Sequence, residues 1–413
     1  MNEEDQRTHD APAAHARKWR VWLVCAALCG ALAAVGCVVN AYVRARDDQL
    51  PRRVRKPAAR LHSYIVQGYY PYWAVSTAPP AVIAFEELTH VSHAFVWPKA
   101  GGSVHVPRTF DAGGLMRYAR AAGCTVLLCV GGGGEGSAHF RGVASNAAAR
   151  SVFVETVCAF AESNGYDGIE VNWEFPRSAM DASNLVTLVQ QLRARLGSGA
   201  VLSLTVNGSH YSGEYIDVAA LEGLVDFFPV MTYDYHGRWS AKSGHNAPLH
   251  AYAGSDGDVH SGVTYWLQRG MPAHKIVLGL AFYGRTFDTD GIGRAFTTSG
   301  TRTYREIAPL IGQGYERRWD AAARVPYLVA ESGVKVITYD DLVSLSVKVD
   351  YAKEQGFGGV MIWHVGGDVM GGRHRLLPGV AQRVRGGRLL AGPVAREGGD
   401  DVLAIMDGTE KRR

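Results

Sequence analysis

The chain lacks the residue patterns on which metal, redox or phosphate chemistry is built. Its 413 residues hold six cysteines. Cys25, Cys29 and Cys37 lie in one apolar run near the N-terminus, and Cys124, Cys129 and Cys158 lie at strand or helix positions that read as buried. Their irregular spacing is no disulfide framework, so the fold has to be held by a hydrophobic core, which a chain of this length can build. There is no C-x-x-C pair and no H-E-x-x-H. His90 and His93 stand three apart on a predicted strand and point to opposite faces, so no metal site is expected. His236, His245 and His250 share one loop, where they are expected to line a cleft or bind backbone carbonyls. Gly131-Gly132-Gly133-Gly134-Glu135-Gly136 spells G-x-G-x-x-G, but Ser137 to Gly142 separate it from helical periodicity that resumes near Ala147, and no P-loop lysine is present. No cofactor is therefore expected. Charged residues make up only 20% of the chain, with a net charge of +4. The one basic stretch, 44–62, has no interleaved aromatics, which argues against a nucleic-acid partner.

What the chain does have is a strict alternation in Asp167-Gly168-Ile169-Glu170-Val171-Asn172-Trp173-Glu174. Ile169, Val171 and Trp173 fall on one face of a period-two pattern, and Glu170, Asn172 and Glu174 on the other, which predicts a β-strand. An edge strand with a solvated polar face would read the same way in isolation. The neighbouring pattern argues for burial instead. Strands are predicted at 64–69, 89–96, 125–130, 168–173, 201–206, 226–232, 276–281 and 358–363. Helical spacing separates many of them, as at 147–164, 182–196, 264–269 and 342–355. Eight β-then-α units over about three hundred residues predict an α/β fold of the (β/α)8 TIM-barrel class, in which catalytic groups sit at the C-terminal ends of strands. Glu174, Asp234, Arg285 and Trp363 all fall at such ends.

Seven segments then resemble, in order, glycoside hydrolase family 18, the chitinases and chitinase-like proteins. They are Gly68-Tyr69-Tyr70-Pro71-Tyr72-Trp73, His93-Ala94-Phe95, Cys129-Val130-Gly131-Gly132, Tyr166 to Pro176, Met231 to Gly237, Phe282-Tyr283-Gly284-Arg285, and Met361-Ile362-Trp363. The resemblance implies a retaining glycosidase without a protein nucleophile, in which the sugar's own 2-acetamido oxygen attacks the anomeric carbon. It implies Glu174 as general acid/base, its proton held near neutral pH by burial and a nearby like charge. Tyr233 would bond the acetamido oxygen, Trp363 would stack beneath the sugar, and Asp234 and Arg285 would fix hydroxyls. Tyr69, Phe95 and Met231 join them as substrate-binding candidates, with a core role open for Met231. Trp239 is a candidate platform for a second sugar, or a surface tryptophan without a ligand.

The chain also departs from the pattern. Glu170 and Asn172 stand where the family motif has aspartates. Asn172 can offer a carbonyl of similar shape but no negative charge, worth about 3 kcal/mol in a poorly hydrated site. Its neutrality should also let the pKa of Glu174 fall. Glu170, being longer, is expected to reach toward position 172 in compensation, and Asp167 completes the catalytic candidates. Cys129 replaces a serine and reads as a small buried group. Two readings follow: a hydrolase of β-linked N-acetylglucosamine glycans, or a lectin that keeps the cleft without useful turnover. A monomeric barrel with an N-acetylglucosamine-containing glycan as its partner is expected.

Outside the barrel, residues 1–20 read as a short polar segment and 21–43 as a transmembrane or signal-anchor helix, long enough to cross a bilayer, or as a cleaved signal segment. Ala34-Val35-Gly36-Cys37 is a loose lipoprotein processing site, which would leave Cys37 lipidated. Residues 44–62 form a basic linker near anionic headgroups. The barrel is placed at 63–380 with a small α+β insertion at 286–335 before the eighth strand, and 381–413 as a mobile tail. More basic residues follow the apolar run than precede it, which on the positive-inside rule places the barrel in the cytoplasm. A polysaccharide substrate and the charges nearest the run favour export.

Overall fold

The computed structural model describes residues 64–387. All eight predicted barrel strands are present: β1 (Ile65–Pro71), β2 (His90–Pro98), β3 (Thr125–Gly132), β4 (Gly168–Trp173), β5 (Val201–Leu204), β6 (Phe228–Met231), β7 (Ile276–Ala281) and β8 (Gly359–Trp363). They pair in parallel, with β1 between β2 and β8, and β4 between β3 and β5. The barrel closes where the fifth strand breaks at Thr205. Val201–Leu204 pairs with β4, while Val206–Asn207 turns to pair with β6.

The outer layer contains α1 (Ala112–Ala121), α2 (Ala147–Ser163), α3 (Ala179–Leu196), α4 (Val259–Gln268), α5 (Leu342–Glu354) and α6 (Leu377–Val384). Their starts are written in the sequence. Asn146 accepts Ala149 N–H at the head of α2, Ser178 accepts Asp181 N–H at α3, and Asp258 with Ser261 forms a capping box at α4. Each such cap contributes about 1 kcal/mol. Leu185, Leu188 and Leu192 repeat at helical spacing on α3 and are wholly buried, each contributing about 1.5–3 kcal/mol by leaving water.

The strand alternation is realised on β4. Ile169, Val171 and Trp173 lie in the layer between strands and helices, in one core with residues of α2 and α3. Trp173 stacks on Phe140 with centroids 5.5 Å apart. Glu170, Asn172 and Glu174 face the barrel interior and its mouth.

Between β7 and β8 the chain builds a five-stranded antiparallel sheet from Tyr283–Phe287, Ser299–Thr303, Tyr315–Asp320, Val325–Ala330 and Val336–Thr338. Ile307, Leu328, Ile337 and Tyr339 give it a small core of its own. Among the described residues no helix is long and apolar enough to cross a membrane. The predicted anchor at 21–43 and most of the predicted tail lie outside the described residues.

Candidate active site

Inside the barrel, below the mouth and beside an apolar cluster that includes Leu127, Val277 and Met361, a group of polar side chains is organised around one carboxylate. Glu170 is fully buried and accepts from Gln67 Nε2 at 2.5 Å, Ser92 Oγ at 3.1 Å, Ser203 Oγ at 3.1 Å, Thr205 Oγ1 at 3.2 Å and Cys129 Sγ at 3.3 Å. The parallel register explains the convergence, since it sets Glu170 level with Cys129 on β3 and Ser203 on β5. Thr205 spends its proton on Glu170, so the Tyr69 hydroxyl donates to Thr205 Oγ1 at 3.1 Å. Burial and the neighbouring Glu170 charge hold the Cys129 thiol well above its usual range. It is a neutral donor, not a nucleophile.

Glu174 stands at the mouth, just past the end of β4. Asn172 Nδ2 donates to its Oε1 at 3.0 Å, and Ser137 Oγ accepts its backbone N–H at 2.7 Å. Ser137 Oγ in turn donates to Gly132 O at 2.7 Å, which fastens the loop after β3 to the acid. Gly131 allows the approach: it sits at φ +120°, and a Cβ there would lie 2.0 Å from Asn172 O. Loss of water lifts the Glu174 carboxyl to about 7, opposed by the Asn172 bond and aided by the Asp234 charge. A carboxylic acid poised there is matched to proton transfer near neutral pH.

Around this acid lies a cleft of about 280 Å³. Trp363 forms its floor, near-parallel to Phe95 at 5.7 Å and edge-on to Tyr69 at 5.6 Å and Trp73 at 6.1 Å. Such a surface suits the apolar face of a pyranose. Tyr233 also lines the cleft, its hydroxyl donating to Met361 Sδ at 3.8 Å, a weak bond that a better acceptor would displace. Asp234 Oδ1 takes Tyr283 Oη at 2.5 Å and Arg285 Nη2 at 2.5 Å. No hydrogen bond is found to its Oδ2 among the described residues. Asn172 Oδ1 is likewise buried without a partner.

The profile of the glycosyl hydrolases family 18 matches residues 65–368. The chain belongs to that family. A probable endochitinase of Caenorhabditis elegans is 31% identical over 365 residues, covering 78% of this chain and 59% of that protein. The Group IV chitinase of Ostrinia furnacalis superposes with a TM-score of 0.73 at 27% identity, covering 78% of this chain and all of that one. A Cycas revoluta family 18 chitinase, solved in complex with (GlcNAc)3, superposes with a TM-score of 0.71 at 28% identity, covering 78% of this chain and 99% of that one.

The family 18 barrel brings together Glu174, Asn172, Tyr69, Phe95, Met231, Tyr233, Asp234 and Trp363 as lining of one cleft. Other candidates lie elsewhere. Asp167 sits just before β4, at the far end of the strand from the mouth, where its carboxylate accepts Val126 N–H at 2.8 Å. Six strand residues separate it from Glu174, about 20 Å, so its work is to pin two strands together. Glu170 does not reach Asn172, because its oxygens are already claimed by the barrel's own donors. Arg285 does not line the cleft; it holds Asp234 and lies 4.9 Å over the Trp239 ring. Trp239 is 56% exposed and also outside the cleft. The three loop histidines do not line it either: His236 Nδ1 meets His245 O at 3.3 Å and His245 Nε2 meets Asp320 at 3.0 Å. The pKa of Glu174 stays high without an aspartate at 172, since burial is its main cause. The glycine run ends in a 3-10 turn, Gly134–Ser137, and a short helix at Phe140–Ser145 precedes the periodicity seen from Ala147.

Several residues lining the cleft were not singled out as site candidates from the sequence: Tyr72 and Trp73, named only within the first family segment, and Trp97, Thr205 and Glu135. Trp97 carried a signal, since it shares the period-two phase of Phe95 on β2. Thr205 shares that of Ser203. Glu135 and Ser137 carried none, because a loop has no period.

Proposed function

We propose that this chain is a glycoside hydrolase that cleaves β-linked N-acetylglucosamine oligomers of the chitin type by substrate-assisted retaining catalysis. The observation that carries the reading is a carboxylic acid, Glu174, lifted to about 7 at the edge of an aromatic-floored cleft beside an amide whose Oδ1 is buried and unpartnered. The acetamido N–H of the bound sugar donates to Asn172 Oδ1, and Tyr233 donates to the acetamido oxygen. That oxygen attacks the anomeric carbon while Glu174 gives its proton to the departing glycosidic oxygen. Glu174, now a carboxylate, takes a proton from the water that reopens the cyclic intermediate, and so returns to its starting state. Trp363 supports the ring, and Asp234 Oδ2 accepts from a sugar hydroxyl. The names of the relatives support a chitin-type substrate.

A neutral Asn172 gives the cationic intermediate no counter-charge, which favours a second reading, a lectin that binds the same oligomers and turns them over poorly. Incubation of the full chain with N-acetylglucosamine oligomers, followed by product chromatography and calorimetry, separates the two. Products that disappear in Glu174→Gln support the hydrolase. Binding without products supports the lectin, and neither binding nor products rejects both.

We also propose that residues 21–43 anchor the chain in a membrane with the barrel exported. Their apolar composition and length support this. Carbonate-resistant pelleting, lost on deletion of residues 1–43, is the expected result, and a soluble full-length chain contradicts it.

A further inference from the structure

The cleft holds one charge for which the proposed reaction has no use. Its lining includes the acidic residues Glu174, Asp234 and Glu135, and among the described residues no lysine, arginine or histidine lines it. Two of the three are accounted for. Glu174 is mostly protonated below about 7, and Asp234 is paired with Arg285 at 2.5 Å. Glu135 is exposed, and no ion pair or side-chain hydrogen bond to it is found among the described residues.

Its place in the fold sets its turn against the acid. Glu135 belongs to the turn Gly134–Ser137, whose Ser137 holds the backbone of Glu174. The preceding glycines bring the turn close to the acid at Gly133 and leave open space at Gly134. A Cβ at Gly133 would lie 3.2 Å from Glu174 Oε2, and one at Gly134 would meet nothing within 4 Å. The turn that carries this unpaired carboxylate is thus part of the cleft lining beside the acid.

We propose that Glu135 is a specificity-determining residue that favours oligomers carrying a free glucosamine, with its 2-ammonium group, next to the N-acetylated sugar at the reacting position. This deepens the glycosidase reading and rests on it. The reacting sugar must keep its acetamido group, since that group is the nucleophile, so the ammonium belongs to a neighbour. The same charge disfavours sugars that bear a carboxylate, such as the lactyl ether of muramic acid. Because Glu135 is exposed, the preference is modest and sensitive to salt.

The test compares the full chain with Glu135→Gln on two substrates below neutral pH. One is a fully N-acetylated oligomer, and the other carries a single glucosamine at a defined position. The ratio of kcat/KM for the two substrates is read within each protein, so that any general loss cancels. The expected result is a preference of about five-fold for the glucosamine-containing oligomer at its best position, the size of one ion pair in water at 4 Å. The preference falls at high salt and disappears in Glu135→Gln. A ratio that is the same in both proteins overturns the inference while leaving the glycosidase reading intact. If turnover is too slow to measure, the ratio of affinities measured by calorimetry in Glu174→Gln decides in the same way. Absence of both hydrolysis and binding of the fully acetylated oligomer rejects the glycosidase reading itself.

Discussion

Asn172 Nδ2 donates to Glu174 Oε1 at 3.0 Å, while Asn172 Oδ1 is buried with no partner. The amide thus steadies the acid and keeps one acceptor in reserve. An aspartate at 172 would add a charge beside Glu174 and disfavour its ionised form. Asn172→Asp is expected to raise kcat on N-acetylglucosamine oligomers by up to about a hundred-fold, since about 3 kcal/mol of intermediate stabilisation is regained. The alkaline limb of its pH–rate profile should move upward, because Glu174 then holds its proton longer. A limb that moves down contradicts this electrostatic account.

Glu174→Gln removes the proton donor of the proposed reaction but keeps the shape and the hydrogen bond to Asn172. The expected loss in kcat is about 10²–10⁴-fold, with oligomer binding retained by calorimetry. The same variant probes linkage. The folded pKa of Glu174, about 7, lies above the ordinary 4.5, so its stabilising share is present below about 4.5 and is lost as pH rises through about 7. The melting temperature of Glu174→Gln should therefore gain on that of the unsubstituted chain as pH climbs through this window. A constant difference across it contradicts the shift.

Ser137 is a positioning residue, since its hydroxyl bridges Gly132 O and Glu174 N. Ser137→Ala leaves a part-buried N–H unpaired, at a cost of about 1–3 kcal/mol. Steady-state kinetics are expected to show about a ten-fold fall in kcat with little change in KM, restored by Ser137→Thr. Failure of Thr to rescue, or a loss confined to KM, contradicts the clamp.

Glu170 serves the barrel. Glu170→Gln turns an acceptor surrounded by donors into a group with its own N–H bonds, so at least one donor is stranded. Urea unfolding should show a loss of about 2–4 kcal/mol. Cys129→Ser keeps a donor at the same place and is expected to cost far less than Cys129→Ala. Equal losses for the two would mean that the thiol contributes volume only.

Lys348 on α5 and Asp340 form an ion pair at 2.5 Å with both side chains fully buried, and Ser344 Oγ also donates to Asp340 Oδ1 at 2.7 Å. Lys348→Met alone leaves a buried carboxylate without its partner and is expected to cost about 3–5 kcal/mol in unfolding free energy. The double variant with Asp340→Asn should recover much of that loss. Additive losses in the double variant would contradict the pairing.

Periodicity determined more of this protein than any single motif did. The alternation at Ile169–Glu174 located a strand and divided its residues between two faces, and the neighbouring apolar runs argued for its burial. Eight strand-length apolar runs separated by helical spacing were enough for the barrel, and the ends of the runs pointed to Glu174, Asp234 and Trp363. The structure decided what depends on register and on loops. Glu170 and Asp167 lie on the same short segment as Asn172 and Glu174, yet only the pairing of β3, β4 and β5 shows that Glu170 meets Cys129 and Ser203 and that Asp167 binds Val126. Arg285 reads as a sugar ligand from its order in the chain, and only the antiparallel sheet shows that it holds Asp234. Ser137 and Glu135 sit in a turn without periodicity, so nothing in their order along the chain announced that one holds the acid and the other faces the cleft. Local pattern sets which face a residue takes, because that follows from backbone geometry alone. Which neighbour it meets there is set by strands and loops far away in sequence, and only the closed barrel brings those together.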